Sequence, residues 1–509
     1  PNDVEFYLVD FKKGVEFKCY GNYRLPHARV VAIESDREFG MSVLSRIDEE
    51  LRRRGELFRK LGVQDLQGYK RAGGTESLPR SLLIVDEFQE FFVEDDRIAQ
   101  NASLLLDRLV RQGRAFGIHV LLGSQTLGGA YTLAQTTLGQ MVVRIALQCN
   151  EADSYLIMED NNPAPRLLSR PGEAIYNDAT GSLEGNSPFQ IVWLPDEERD
   201  GHLERIRERA DADGRKRTGP IVFEGNAPAD VTENPLLIQA LENEAEKLPP
   251  FGRLWLGAPN SIKGPTEARF QRQSGNNLLV VGQREDTVLN LFTIGLVTLA
   301  AQYPPETVRL ILLDASQPGS EQQGLIEEAG RALPPSFFLG NNSHVDEIMN
   351  ELVQEMDRRN LDDAPGDEPP VFVFVNGLQK FKKLRVEDEF SFSLDDDDAA
   401  PDPAAQFNQL ISDGSSVGIH MIVACDTYNN LNRWLSRKAV GEFEKRVLFQ
   451  MSMNDSASLI DSPAAGSLGL YRAIYYNEQE GYIETFRPYA RPAANWFDEA
   501  RDVLSPVAT

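Results

Sequence analysis

Two adjacent acids follow a run of four apolar residues in the sequence LLIVDEF, residues 82–88. If this run is a buried strand, Asp86 and Glu87 lie at its carboxyl end, where open α/β sheets bind ligands. One carboxylate can then hold a Mg²⁺ ion and its water shell, and the next can orient and deprotonate the water that attacks a γ-phosphate. The pair therefore predicts hydrolysis of a nucleoside triphosphate, with Asp86 on the metal and Glu87 as the base.

Two further apolar runs end in polar residues that can serve the same site. GIHVLLGSQ, residues 117–125, ends in Gln125, whose amide can sense a γ-phosphate. VEFYLVD, residues 4–10, ends in Asp10, and Lys12 follows two positions later. Parallel strands bring their carboxyl ends to one edge of a sheet. Gln125 is therefore a candidate catalytic residue, and Asp10 and Lys12 are candidate nucleotide-binding residues.

The same order of landmarks occurs twice along the chain. A repeat of this length indicates a duplicated domain, because solenoid repeats have far shorter periods. We predict a first domain at 1–195, a connector at 196–250, a second domain at 251–490 with an acidic insertion at 386–405, and a tail at 491–509. The paired landmarks are VEFYLVD with VRLILLD (308–314), LLIVDEF with VFVFVNGL (371–378), GIHVLLGSQ with GIHMIVACD (418–426), and VRIALQ (143–148) with RVLFQ (446–450).

The second copy keeps the strand pattern but has lost the residues that carry the chemistry. Asn376 and Gly377 replace the acid pair. In its loop GQREDTVL, only Gly282 fits the phosphate-loop pattern GxxxxGK[ST]. Thr287 stands at the second glycine, and Val288 stands at the phosphate-binding lysine. We therefore predict a degenerate second site that binds neither ATP nor Mg²⁺.

A phosphate loop for the first copy is not found in the chain. Alignment of the two copies places Pro1 opposite Pro305, and a strand, a loop and a helix at 277–302 precede that second proline. The matching segment of the first copy would therefore lie upstream of Pro1. We expect this chain to be a fragment that hydrolyses little or no ATP alone.

These segments together resemble the FtsK/SpoIIIE motors, a branch of the RecA-like ring ATPases. RQGRAFGIHVLLGSQ (111–125) is similar to that family's signature R-A-x-G-I-H-L-x-L-A-T-Q, VRIALQ to its R-I-A-F strand, and LVDFKKGVEF (8–17) to its I-D-P-K strand. The resemblance implies an α/β fold with two tandem RecA-like P-loop NTPase domains, whose mainly parallel sheets are flanked by helices. It also implies ATP and Mg²⁺ as cofactors, and a homo-oligomeric ring that translocates double-stranded DNA.

Three arginines of the first domain are candidates to reach the nucleotide of a neighbouring subunit in such a ring. Arg111 and Arg114 oppose serines in the second copy, so they are specific to the first. They either stabilise the C-terminus of their helix or contact phosphate across a subunit interface. Arg144 is matched by Arg446, and it either anchors its strand or acts as an arginine finger.

The sequence is compatible with two kinds of cargo, DNA and protein. The net charge is −26, but residues 1–150 hold 20 basic and 20 acidic residues, so the excess acid lies after them. This distribution disfavours nucleic acid for the second domain and leaves DNA open for the first, where the segment 128–141 is the candidate contact. The tandem layout also resembles the ATPases of type VII protein secretion, in which a degenerate module binds a substrate peptide. A secreted protein is therefore the alternative partner.

Composition indicates a soluble protein from a reducing compartment. No apolar run approaches the ~20 residues of a membrane helix, and the three cysteines are scattered without a CxxC pair. We expect a cytoplasmic location, with any membrane anchor of the parent protein upstream of this chain. Locally, the capping box SDRE (35–38) and Gly62 predict the ends of one helix, and a second helix at 98–116 is expected to end before Gly117.

Overall fold

The chain divides into two compact units, Pro1–Asn226 and Ala227–Thr509. The boundary lies inside the predicted connector, residues 196–250, so that the connector is shared between the units. Most of the acidic insertion and residues 129–134 of the candidate DNA contact lie outside the described part of the chain. This structure, a computed structural model, describes residues 3–12, 16–128, 135–213, 219–243, 245, 247–304, 306–334, 336–361, 368–385, 402–493 and 495–504.

The first unit is built on a parallel sheet. Its strands are β1 (Val4–Asp10), β2 (Ala28–Ile33), β3 (Arg80–Asp86), β4 (Ile118–Leu122), β5 (Arg144–Leu147), β6 (Glu173–Asn177), β7 (Asn186–Gln190) and β8 (Ile221–Glu224). Five of them form a sheet in the order β4-β3-β1-β2-β8, in which every neighbouring pair is parallel. The other three form a separate antiparallel sheet in the order β5-β6-β7.

Helices cover the first sheet. They are α1 (Lys18–Asn22), α2 (Arg37–Leu61), α3 (Leu66–Arg71), α4 (Arg97–Phe116), α5 (Gln135–Gln140), α6 (Glu151–Ile157) and α7 (Asp196–Ala212). Gly62 and Gly117 end α2 and α4 in the left-handed region, as the sequence predicted. The predicted capping box was wrong, because Asp36 is the N-cap of α2 without a side-chain cap bond, and Ser35 Oγ donates to the Asp36 carbonyl instead.

The second unit joins parallel and antiparallel strands in one sheet. Its strands are β9 (Gly252–Pro259), β10 (Thr266–Phe270), β11 (Leu278–Val281), β12 (Arg309–Asp314), β13 (Phe337–Gly340), β14 (Val371–Asn376), β15 (Ile419–Cys425), β16 (Lys445–Leu448), β17 (Ala473–Asn477) and β18 (Tyr482–Pro488). They are ordered β10-β9-β18-β17-β16-β11-β15-β14-β12-β13. The run from β16 to β13 is parallel, and the run from β16 to β10 is antiparallel.

Apolar side chains cover both faces of this second sheet. Its helices are α8 (Pro235–Glu242), α9 (Glu285–Ala300), α10 (Glu321–Ala332), α11 (Val345–Leu361), α12 (Pro403–Asp413), α13 (Tyr428–Trp434), α14 (Arg437–Gly441), α15 (Met453–Ile460) and α16 (Trp496–Leu504). Alternate residues of β11 belong to two different core clusters, as expected for a strand buried on both sides. None of the described helices in either unit is long and apolar enough to cross a membrane.

One strand position distinguishes the two units. In the second unit, β11 lies between β15 and β16 and is parallel to both. The matching strands of the first unit are β4 and β5, and each of them is an edge strand, paired on one side with β3 or β6 and with no described strand on its other side. The first unit therefore has an open strand position where the second unit has β11.

Exposed apolar residues of the first unit surround this open position. Their counterparts in the second unit are Ile422, Val447, Phe449, Tyr475 and Phe486, which are buried in the cluster that also holds α9. The bare face of the first unit is thus the one that β11 and α9 cover in the second. The exposed residues are Leu121, Ile145, Leu147, Tyr176 and Phe189.

Candidate functional site

The adjacent strands β1 and β3 end at the same level of the sheet and bring two carboxylates side by side. Asp10 is paired in register with Asp86. Asp10 is fully buried, and its Oδ1 accepts the backbone N–H of Lys12 at 3.0 Å, whereas its Oδ2 has no hydrogen-bond partner among the described residues. The exposed Glu16 completes a group of three carboxylates, whose ligand oxygens lie within 4.8 Å of one another.

Burial and neighbouring negative charges raise the pKa values of Asp10 and Asp86. Burial raises the pKa of the Asp10 carboxyl to about 6; the Lys12 amide opposes the rise, and the charges of Asp86 and Glu16 add to it. Burial and the neighbouring Glu87 also raise the pKa of Asp86. Clustered carboxylate oxygens with no internal cation are the donors that Mg²⁺ prefers, so the residues present fit this metal.

Glu87 adopts a backbone conformation that is uncommon for a residue with a side chain. Its φ is 54° and its ψ is 44°, in the left-handed region, and its side chain is 2% exposed. The matching residue of the second unit, Gly377, has a φ of 78°, which glycine adopts without steric penalty. Strain of this kind is typical of functional residues, because the surrounding structure must hold it in place.

Two polar side chains hold the Glu87 carboxylate. Lys12 Nζ lies 3.1 Å from Glu87 Oε2, and Gln89 Nε2 donates to the same oxygen. The structure thus places the Lys12 side chain at Glu87 and not at the carboxylate of Asp10, to which Lys12 donates only its backbone N–H. Two side-chain donors therefore hold the Glu87 carboxylate in place.

Gln89 is a residue that the sequence analysis missed. It is buried, and its Oε1 accepts the Ser124 hydroxyl at 2.7 Å while its amide nitrogen donates to Glu87. It thereby connects Glu87 with the loop that follows β4. A signal was present in the repeat, because the second copy keeps Gln379 at the matching position, where its Oε1 accepts the backbone N–H of Asp426 at 3.4 Å.

Gln125 lies on this same loop and is exposed. It makes no hydrogen bond with another described residue, and its contact with a phosphate stays a prediction. Its neighbours are well anchored: Thr126 Oγ1 and the Leu127 N–H both donate to Asp153 Oδ1, at 3.1 and 2.8 Å. The loop is therefore held at both ends, by Gln89 through Ser124 and by Asp153.

The three candidate arginines differ in how far their own unit occupies them. Arg144 donates from Nη1 to the Ile157 carbonyl at 2.8 Å and from Nε to the Met141 carbonyl at 3.3 Å. Arg446 bonds the carbonyls of Leu459 and Phe443 in the same way. The anchoring role is therefore favoured for Arg144 over a role as a finger.

Arg111 and Arg114 remain the exposed candidates. Arg111 Nε donates to Asp107 Oδ1 at 2.8 Å within α4. Arg114 lies in the last turn of the same helix, and its charge adds to burial in lowering the pKa of His119. Their side chains face solvent in this unit, so a phosphate on another subunit stays a prediction for both.

In the second unit, other residues stand at the positions of the first unit's acids. Asn376 Nδ2 donates to Asp314 Oδ1 at 2.7 Å, and Ser316 donates to both oxygens of the same carboxylate. Asp314 matches Asp10, and Asn376 matches Asp86. Hydrogen bonds from an amide and a hydroxyl therefore satisfy the Asp314 carboxylate, whereas the matching carboxylate of the first unit, Asp10, lies beside other acids.

The degenerate loop of the second unit lines a small acidic cavity. The cavity has a volume of about 250 Å³, and Gly282, Asp426 and Asp455 are among its lining residues, which include no lysine or arginine. Val288 is buried in the core, and Glu285 pairs with Lys380 at 3.4 Å. Thr287 is partly buried in the first turns of α9. Two carboxylates without a cation make this cavity unsuited to phosphate.

The folds and the acid pair together define the class of protein. A parallel sheet that carries two acids at the carboxyl end of one strand, followed by a second sheet of the same design, is the arrangement of tandem P-loop ATPase domains. Comparisons with known proteins agree with this class. Residues 1–128 match the model of the FtsK/SpoIIIE family. The first part of the chain is thus similar to the FtsK/SpoIIIE family, which confirms the predicted resemblance.

Proteins of two kinds are similar to this chain in sequence. The ESX secretion system protein YukB of Bacillus subtilis is 24% identical over 545 residues, covering 96% of this chain and 34% of YukB. The DNA translocase FtsK of Streptococcus agalactiae is 25% identical over 224 residues, covering 42% of this chain and 26% of FtsK. The chain thus spans about a third or less of the length of these relatives.

A solved structure confirms the predicted fold class. The cytoplasmic domain of the type VII secretion ATPase EccC from Thermomonospora curvata superposes with a TM-score of 0.61 at 18% identity. The match covers 99% of this chain and 59% of that one. At this identity the likeness shows the fold, namely tandem α/β domains with mainly parallel sheets and flanking helices.

Proposed function

We propose that this chain is part of a motor in which the first unit hydrolyses ATP and the second unit is catalytically dead. Asp86 holds Mg²⁺, Glu87 accepts the proton of the attacking water, and Gln125 senses the γ-phosphate. The metal would supply charge neutralisation to the phosphates. The observation that supports this proposal most is the contrast at one position, where the strained, buried Glu87 of the first unit is matched by Gly377 in the second.

The first unit's nucleotide pocket requires a further strand, loop and helix. The support is the open strand position between β4 and β5 and the exposed apolar face beside it. In the second unit, β11 and α9 occupy these places, and the degenerate phosphate loop connects them. We propose that a matching segment upstream of residue 1 brings the phosphate loop of the first unit.

A secreted protein is the cargo that we propose. The relative whose match covers 96% of this chain is an ESX secretion system protein, whereas the match to FtsK covers 42%. The sequence analysis had placed double-stranded DNA first. DNA stays as the second candidate, because residues 1–128 match the FtsK/SpoIIIE family and residues 1–150 carry none of the excess negative charge.

Two measurements on the parent protein, extended upstream of residue 1, test these proposals. Glu87→Gln should still bind ATP–Mg²⁺ but lower kcat by at least ~10²-fold, because the attacking water loses its base. Glu56→Gln, an exposed change of equal charge on α2, should leave kcat unchanged. Wild-type turnover by Glu87→Gln would remove the assignment of the base.

The cargo is tested by stimulation of the same ATPase. A substrate protein that carries an export signal should raise the turnover rate, and duplex DNA at low salt should not. If duplex DNA stimulates hydrolysis and its effect falls steeply with salt, as phosphate contacts require, DNA replaces a secreted protein as the proposed cargo.

A further inference from the structure

Three carboxylates converge at the carboxyl ends of β1 and β3, and one of their oxygens has no partner. The ligand oxygens of Asp10, Glu16 and Asp86 lie within 4.8 Å of one another. Asp10 is 0% exposed, and its Oδ2 is buried without a hydrogen bond to any described residue. A buried anion is stable only when it is paired or coordinates a cation.

The positive charge nearest to this group among the described residues is already engaged. Lys12 Nζ pairs with Glu87 Oε2 at 3.1 Å, and Lys12 reaches Asp10 only through its backbone N–H. Gln89 also donates to Glu87, not to the three acids. The group therefore has a deficit of positive charge that these contacts leave in place.

The second unit provides an internal comparison. At the matching positions it has Asp314, Ser320 and Asn376. Asn376 and Ser316 donate to both oxygens of Asp314, so this carboxylate is satisfied without an ion. In the second unit, neighbouring side chains thus satisfy the carboxylate at these strand ends. In the first unit, three acids lie together at the matching positions.

We propose that Asp10, Glu16 and Asp86 bind one divalent cation directly, before any nucleotide arrives. This inference deepens the proposed function, since it adds two ligands to Asp86 at the Mg²⁺ site. It does not depend on the phosphate loop, because all three ligands lie within residues 10–86. The bound cation neutralises the clustered acids at the strand ends, and the triphosphate binds to it there afterwards.

The test is a titration of the 509-residue chain with Mn²⁺ alone, followed by electron paramagnetic resonance. We expect one site per chain with a dissociation constant on the order of 10⁻⁴–10⁻³ M, at the weak end for carboxylate sites, and displacement of Mn²⁺ by Mg²⁺. Asp10→Asn and Glu16→Gln should each weaken binding at least tenfold. Glu56→Gln, a matched change of charge on the surface of α2, should not alter it.

Folding and function are separated in this design. Glu16 is exposed, so Glu16→Gln tests the site even if the buried Asp10→Asn variant fails to fold. Absence of Mn²⁺ binding at 10⁻² M, or equal binding by wild type and Glu16→Gln, would overturn the inference. The titration contains no nucleotide, so Mn²⁺ binding by this chain, together with no ATP hydrolysis by the parent protein extended upstream of residue 1, would sink the proposed function and leave the metal site standing.

Discussion

Glu87, the proposed base, has an unfavourable backbone conformation. Its φ of 54° places Cβ close to the following carbonyl, which costs an L-residue about 1–2 kcal/mol. Lys12 and Gln89 hold the buried carboxylate in spite of this cost. The second unit carries Gly377 at the matching position, where glycine adopts the left-handed conformation without this cost.

Removing the side chain in two ways should expose the backbone strain at Glu87. Glu87→Gly and Glu87→Ala lose the same contacts, but only alanine keeps the Cβ in the left-handed region. We expect the free energy of unfolding of Glu87→Gly to be about 1 kcal/mol higher than that of Glu87→Ala, measured from hydrogen exchange of the β3 amides. Gly377→Ala should lower the stability of the second unit by a similar amount. Equal stability of the two Glu87 variants would contradict the strain.

Gln89 acts through Glu87 and should be visible as a positioning residue in the parent protein. Gln89→Ala removes a donor to the carboxylate and an acceptor of the Ser124 hydroxyl. We expect kcat to fall about tenfold, with KM for ATP changed less than about twofold, because misplacement affects the transition state more than binding. Gln89→Ala on the Glu87→Gln background should add nothing. Gln100→Ala, exposed on α4, is the control, and an unchanged kcat for Gln89→Ala would exclude the role.

At the scale of elements, the same strand is an edge in one unit and central in the other. His119 on the edge strand β4 is exposed, whereas its match His420 on β15 is 2% exposed. His420 Nδ1 bonds the Asn276 carbonyl at 2.9 Å, and the ring stacks on Phe372. The histidine common to both copies is therefore a packing residue in the second unit.

The burial of His420 should make the second unit lose stability in acid. Burial, followed by the charges of Lys445 and Arg272, lowers the pKa of His420 to about 3. The unfolded chain takes up a proton near pH 6.5 and the folded chain only near pH 3, so stability rises with pH across this window by up to about 1.4 kcal/mol per unit. His420→Gln should flatten the dependence in urea titrations, and His344→Gln should not. An unchanged slope in His420→Gln would assign the effect to other groups.

The uncovered face of the first unit predicts an effect that depends on the upstream segment. Ile145 is 49% exposed, and its match Val447 is 0% exposed beneath α9. Ile145→Thr should cost less than about 0.5 kcal/mol in this chain, but about 1–2 kcal/mol once the proposed helix covers it. Val447→Thr should cost about 1–2 kcal/mol in both forms. Equal small costs for Ile145→Thr in both forms would mean that the helix packs elsewhere.

At the scale of the whole molecule, the two units carry complementary defects. The first has the acids and lacks a phosphate loop within this chain, and the second has the strand, loop and helix without the acids or the lysine. The cavity of the second unit is lined by Asp426 and Asp455 and by no cationic side chain. A chain with these two defects has no complete nucleotide site.

Calorimetry on the 509-residue chain should therefore detect no binding of ATP–Mg²⁺ at millimolar nucleotide. Each missing charged hydrogen bond to phosphate is worth roughly 1.5–3 kcal/mol, and several are missing together at each site. The parent protein should bind one ATP per chain, at the first unit. Magnesium-dependent binding by the 509-residue chain would show that the loop at Gly282 has been misinterpreted.

Local pattern alone determined several features of this protein. The repeat, the order of strands and helices, the helix ends at Gly62 and Gly117, and the placement of Asp10 and Asp86 at strand ends all follow from short-range signals. These features could be predicted because an apolar run ended by an acid has one arrangement in a buried parallel sheet. The lost acids of the second copy could be read from the same alignment.

Tertiary structure decided the features that depend on where loops and edges meet. Glu16 and Gln89 follow strand ends by a few residues, and no periodicity shows that one joins two acids and the other bridges to Ser124. The carbonyl contacts of Arg144 and the helix at Gln135–Gln140, within the candidate DNA contact, arise from packing in the same way. Side-chain distances across a sheet edge are set by register and loop path, which long-range contacts select and short sequence patterns do not encode.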